Sequence, residues 1–161
     1  MFWKILLVFL VSMVPLIELR GAIPIAIGIG IDLPVWVTLI ISIVGNLLPV
    51  PIIYLFARKI LEWGSKVKWK PFKKICNFCL KKGEKAGEKL LKKAGNGGTY
   101  TALFLFVAIP LPGTGAWTGT LAASILNLDF KKTITAISAG VLVAGLIMLL
   151  ASLGLFKGIL G

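Results

Sequence analysis

Three stretches without a charged residue, 33–57, 99–128 and 133–156, constrain this chain more than any other feature. Crossing the hydrocarbon core of a bilayer takes about 20 consecutive apolar residues, and each stretch is at least that long. An ordinary soluble domain carries roughly 25% charged residues, whereas this chain of 161 residues has 15%, with 58% hydrophobic. A soluble fold of this size would leave too much apolar surface uncovered. The sequence therefore predicts an all-α integral membrane protein, one membrane domain over residues 1–161.

The formal charge of +12 would raise nucleic-acid binding in a soluble protein. Here it is localised: most of the Lys and Arg residues fall between Arg58 and Lys93, beside only Glu62, Glu84 and Glu88. No aromatic-basic groove motif accompanies them, so no nucleic-acid partner is expected. A basic segment between two apolar halves reads as a cytoplasmic loop of a multi-pass protein in a prokaryotic inner membrane. Its part 71–93 carries Phe72, Ile75, Cys76 and Cys79 at helical spacing. That pattern fits an amphipathic helix on anionic lipid or a solvated loop that only fixes topology. The Cys76-x-x-Cys79 pair supplies half of a tetrahedral metal shell, and the chain has no histidine to complete it. No metal or cofactor is expected.

The apolar run 5–17 follows Lys4 like a signal peptide, but no small-x-small cleavage site follows it. A retained membrane segment is expected. At 1.5 Å per residue its thirteen residues make about 20 Å of helix, short of a core about 30 Å thick. After Glu18-Leu19-Arg20-Gly21 a second short run covers 22–31. Two short arms joined at a polar tip predict a re-entrant hairpin, followed by a span over 33–57 that Gly45-Asn46 and Pro49-x-Pro51 must disturb. The plan recurs in the second half. Arms 101–109 and 116–128 flank the break Pro110-Leu-Pro112-Gly113-Thr114-Gly115, and a second span covers 133–156, where Ala136, Gly140 and Ala144 offer a stripe for close helix approach. With the basic segment 58–98 inside, halves 1–57 and 99–161 become inverted repeats. A single kinked span over 2–31 would break that symmetry.

Glu18 and Arg20 are the candidate site in the first half. A charge near the bilayer centre costs about 2.5–3.5 kcal/mol and normally faces a cavity or partner. Positions i and i+2 point apart on a helix, so Pro15, Gly21 and Pro24 are read as breaks that hold both residues in an extended turn. Glu18 is then placed to exchange a proton or pair with Arg20, and Arg20 to clamp an anion with its planar fork. The alternative leaves both at the membrane surface. In the second tip, Pro110 and Pro112 stop the first arm while Gly113, Gly115 and Gly119 allow tight backbone. Thr114 is placed to cap the next arm, and free amides there attract phosphate or carboxylate. Trp117 and Thr118 complete this candidate site, against the alternative of a structural kink. Asn46 is a secondary candidate for a polar contact at depth. Without histidine neither a Ser-His-Asp triad nor an HExxH zinc site can form, so no enzyme is expected.

The runs Pro15-Leu-Ile-Glu18-Leu-Arg20-Gly21-Ala-Ile-Pro24 and Phe106-Val-Ala-Ile-Pro110-Leu-Pro-Gly-Thr-Gly-Ala-Trp117-Thr-Gly119, with Gly45-Asn46-Leu-Leu-Pro49-x-Pro51, resemble the signatures of the small multidrug export protein family. More distantly, the plan is similar to that of DedA (VTT-domain) membrane proteins, with two re-entrant hairpins and an acidic-arginine signature. The first resemblance implies export of amphiphilic, often cationic, compounds. The second implies proton-linked movement of lipid phosphates such as a polyprenyl phosphate. The leading expectation is proton-coupled flipping of an anionic lipid phosphate, with Glu18 exchanging the proton, Arg20 clamping the headgroup and the second tip supplying amides. The rivals are an exporter of lipophilic cations and a non-transporting lipid-binding scaffold. A homodimer is expected from the chain's small size.

Overall fold

A computed structural model of the chain describes residues 2–15, 17–67, 70–71, 73–74, 76–78, 81, 98–111 and 113–160, with backbone alone at 58 and 155–160. These residues are helical with no strand among them. The helices are α1 Phe2–Met13, α2 Glu18–Gly28, α3 Val35–Leu47, α4 Pro49–Lys66, α5 Gly98–Ala108, α6 Ala116–Ile125 and α7 Phe130–Leu160. Of the expected breaks and thiols, Pro112 and Cys79 lie outside the described residues. So does most of the basic segment, although Cys76 is a buried free thiol.

Among the described residues two runs are long and apolar enough to cross a membrane, Val35–Lys66 and Phe130–Gly154. The first joins α3 and α4 through Leu48, whose backbone stays right-handed helical (φ −57°, ψ −43°). Pro49 and Pro51 interrupt the hydrogen bonds instead, because without amide hydrogens they leave the Gly45 and Leu47 carbonyls unserved. The helix also runs past the expected end at Ala57, to Lys66. Nothing between Arg58 and Lys66 breaks a helix outright, and charge alone does not end one.

Each half also contains a pair of short helices that turn back on each other. Helix α1, about 18 Å long, packs against α2. Lys4 near its start lies 3.7 Å from Asp32 just beyond the end of α2. A single kinked span over 2–31 is thereby excluded. Helix α6 packs on α5, where a Cβ on Gly119 would come within 2.9 Å of Val107. Both second arms end in the same way. Gly30 (φ 65°) and Asn127 (φ 53°) adopt left-handed backbone, and the amides of Ile31 and Leu128 reach back to the Ala26 and Ala123 carbonyls. Each is a Schellman closure, which needs a residue tolerant of positive φ.

The halves interlock. Helix α2 packs on α7, and α6 packs on α4. Tyr54 of α4 donates its hydroxyl to the Leu128 carbonyl, and Ser124 of α6 donates to the Tyr54 carbonyl at 2.7 Å. The first arms lie close to their own half's span at glycines. A Cβ on Gly45 would lie 2.7 Å from the Phe9 carbonyl oxygen of α1, and one on Gly140 would lie 2.9 Å from that of Phe104 in α5. Of the predicted stripe on α7, Gly140 therefore receives α5. The core that results includes Leu19 and Ile23 of α2, Val107 of α5, and Ile137 and Val141 of α7. Outside it, large side chains such as Trp3, Trp36, Ile29 and Leu150 are exposed, the apolar outer surface that a lipid-embedded protein presents.

Candidate functional site

The two tips meet in the interior. Their chemistry follows from a general property of helix ends. The first amides and last carbonyls of a helix lack partners, and the aligned peptide dipoles leave the N-terminus positive and the C-terminus negative. The second half breaks between α5 and α6, so it presents one end of each kind at one place. The first half supplies a carboxylate and a guanidinium.

Glu18 is 4% exposed. Its Oε1 accepts from the Trp117 amide at 3.0 Å and its Oε2 from the Ala116 amide at 3.3 Å. It caps α6 across 98 residues of sequence. Its own backbone has φ 51°, a left-handed state that costs about 1–3 kcal/mol in a residue of this type. That cost is offset by two hydrogen bonds to a charged acceptor, each worth about 1.5–3 kcal/mol. Gly115, the N-cap of α6, makes the approach possible. It has φ 143°, and a Cβ there would lie 2.7 Å from the Glu18 carboxyl carbon.

Arg20 serves the opposite helix end. Its Nη2 donates to the Val107 and Ile109 carbonyls at 3.0 and 3.2 Å. Its Nη1 reaches the carbonyls of Leu111 (2.7 Å) and Thr114 (2.6 Å) and the Thr114 hydroxyl (2.7 Å). Among the described residues Lys4–Asp32 is the ion pair within bonding distance, so Glu18 and Arg20 do not bond each other. Each is turned to the helix end of opposite polarity.

Three local expectations are corrected here. The break in the first half lies at residues 14–17, and Glu18 already begins α2. Gly21 and Pro24 sit inside that helix, because burying Leu19, Ala22, Ile23 and Ala26 offsets the one hydrogen bond that Pro24 withholds from the Arg20 carbonyl. Thr114 does not cap α6. Its hydroxyl lies 2.9 Å from the Ile109 and Leu111 carbonyls and closes the tip instead.

Where the tips meet lies a cavity of about 610 Å³, lined by Pro15, Glu18, Arg20, Thr114, Trp117 and Thr118, with Gly21, Pro110 and Gly113 also on its wall. Ile17, Leu121 and Met148 line it as well. Nothing in the sequence marks these three, which are ordinary apolar residues brought together by folding. The indole N–H of Trp117 is buried with no acceptor among the described residues. Thr118 donates weakly back to the Gly115 carbonyl at 3.4 Å. Gly119 packs α6 on α5. Asn46 is separate from this wall. It is 1% exposed on α3, and among the described residues its Oδ1 has no partner, like the Ser42 hydroxyl one turn away.

Glu18, Arg20 and the second tip that they bond all fall within one match: the family described as "Putative small multi-drug export protein" matches residues 18–147. No curated protein and no solved structure matches the chain. The match covers Glu18, Arg20, the whole second tip and most of both long apolar runs, and the chain belongs to this family of small multi-drug export proteins.

Proposed function

We propose that the chain exports lipophilic cations, binding them in the cavity between the tips and exchanging them for a proton at Glu18. The observation that carries this reading is the cavity wall, where a buried carboxylate stands beside Trp117 among apolar side chains. Such a wall suits a bulky cation, which gains from burial of its apolar groups, from the aromatic face and from the carboxylate. Arg20 stands on the same wall, but its guanidinium is held by backbone carbonyls of the second tip, which weaken its repulsion of a bound cation.

The same contacts weigh against flipping of a polyprenyl or other lipid phosphate. A headgroup clamp needs a free Arg20 and open amides, and here the guanidinium is engaged and the α6 amides are taken by Glu18. In the reading we favour, protonation of Glu18 loosens its hold on α6, the tips part, and a cation displaces the proton from the other side. The halves then act as inverted repeats with re-entrant hairpins, in the inner membrane of a prokaryotic cell with the basic segment cytoplasmic. Support comes from the reciprocal packing of α2 on α7 and α6 on α4, the matched closures at Gly30 and Asn127, and the positive-inside rule. With two full-length spans per chain, a homodimer is the assembly this reading expects.

The test is movement of tetraphenylphosphonium in proteoliposomes under an imposed pH gradient. Wild-type protein should move the cation with the gradient, and Glu18→Gln should abolish that movement. Equal rates for the two proteins, or no gradient-driven movement by wild type, would sink the proposal.

A further inference from the structure

A second cavity lies apart from the tips, between the starts of α5 and α7. The two helices begin side by side, since the Asp129 amide donates to the Tyr100 hydroxyl at 3.0 Å. They touch where Gly140 meets Phe104 and Val107. Between these points the small side chains of Ala136 and Ala139 leave a groove of about 480 Å³. The exposed Lys131 and Lys132 line one part of it, and the half-buried Tyr100, Phe104 and two alanines line the rest.

The lysine part is positively charged. Both lysines are exposed, and among the described residues no carboxylate pairs with either. Asp129, the acid beside them in sequence, accepts from the Lys132 amide at 2.9 Å as the cap of α7. The Lys132 ammonium sits 5.7 Å from the centre of the Tyr100 ring, which holds it over the groove. Helix α5 starts at Gly98, directly after the basic segment in sequence.

A charged part beside an apolar part, on a helix that is long and apolar enough to span a membrane, matches one ligand in both parts. We propose that this groove binds an anionic phospholipid, its phosphate against Lys131 and Lys132 and an acyl chain along Phe104, Ala136 and Ala139. The site is independent of the transport cavity, and its test does not depend on transport.

Native mass spectrometry of the detergent-purified protein, titrated with phosphatidylglycerol and with phosphatidylcholine, reads the binding directly. Wild type should retain phosphatidylglycerol in preference. K131Q/K132Q should lower that affinity about 25-fold, from roughly fivefold per lysine near a charged surface, and leave phosphatidylcholine unchanged. Ala139→Phe, which fills the apolar part, should weaken phosphatidylglycerol with both lysines intact. K73Q/K74Q, two exposed lysines of the basic segment, should have no effect, and excess inorganic phosphate should not displace the lipid. Equal retention of the two lipids would overturn the proposal. So would an unchanged K131Q/K132Q, an equal loss in K73Q/K74Q, or full displacement by inorganic phosphate. All variants are to be compared at matched melting behaviour, which substitutions of exposed lysines should preserve.

Discussion

Replacing Arg20 by lysine keeps the charge and removes the fork, which separates electrostatics from geometry at the tip junction. The guanidinium uses two nitrogens to serve five acceptors between 2.6 and 3.2 Å. A lysine has one nitrogen with three donors, on a shorter reach. It can serve the group around Thr114 or the pair at the end of α5, but not both. The pair left behind would be the Val107 and Ile109 carbonyls. An under-served buried acceptor costs about 1–3 kcal/mol; the Val107 contact is part-buried and the Ile109 contact exposed, so the pair together is assigned no more than one such penalty. The expected loss is about 1–3 kcal/mol. For a chain of this size that corresponds to a melting temperature lower by about 3 °C or more. Thermal unfolding in detergent, followed by tryptophan fluorescence, measures it. If Arg20→Lys melts with wild type while Arg20→Ala falls, the charge alone holds the junction and the bidentate account is wrong.

Gly115→Ala combines positive φ with a Cβ in the space of the Glu18 carboxylate, and should cost about 2–4 kcal/mol from backbone strain and the displaced cap. Unfolding of G115A in the same assay checks this, and a stability within error of wild type would refute it. Asp129→Ala removes the cap of α7 and should cost about 1 kcal/mol, without changing cation transport in proteoliposomes.

Much of the fold could be read from the sequence, because lipid imposes strong rules on segment length and charge. The short arms, the break around Pro110 and the two long apolar runs all follow from where charge, proline and glycine fall. Local signals were less reliable where packing overrides them. Pro24 lies in a helix because α2 buries a full face. The end of the first long helix was misplaced because a basic sequence can stay helical. At the site, Glu18 and Arg20 stood out as charges in an apolar setting, yet their partners did not. Apart from the Thr114 hydroxyl, they bond to backbone groups of residues 107–117, and backbone atoms leave no mark in a sequence. The one available hint was reciprocal. A helix start at Gly115-Ala116 has no side-chain cap of its own, while an acid elsewhere has no evident partner.

The most direct measurement is binding of tetraphenylphosphonium to purified protein by equilibrium dialysis, with wild type beside Glu18→Gln and a polyprenyl phosphate as competitor. Saturable cation binding that is lost in Glu18→Gln and unaffected by the lipid phosphate is the predicted result. Saturable binding of the lipid phosphate instead, lost with Arg20→Ala and indifferent to Glu18→Gln, would contradict the account and return the site to the anion-clamp reading.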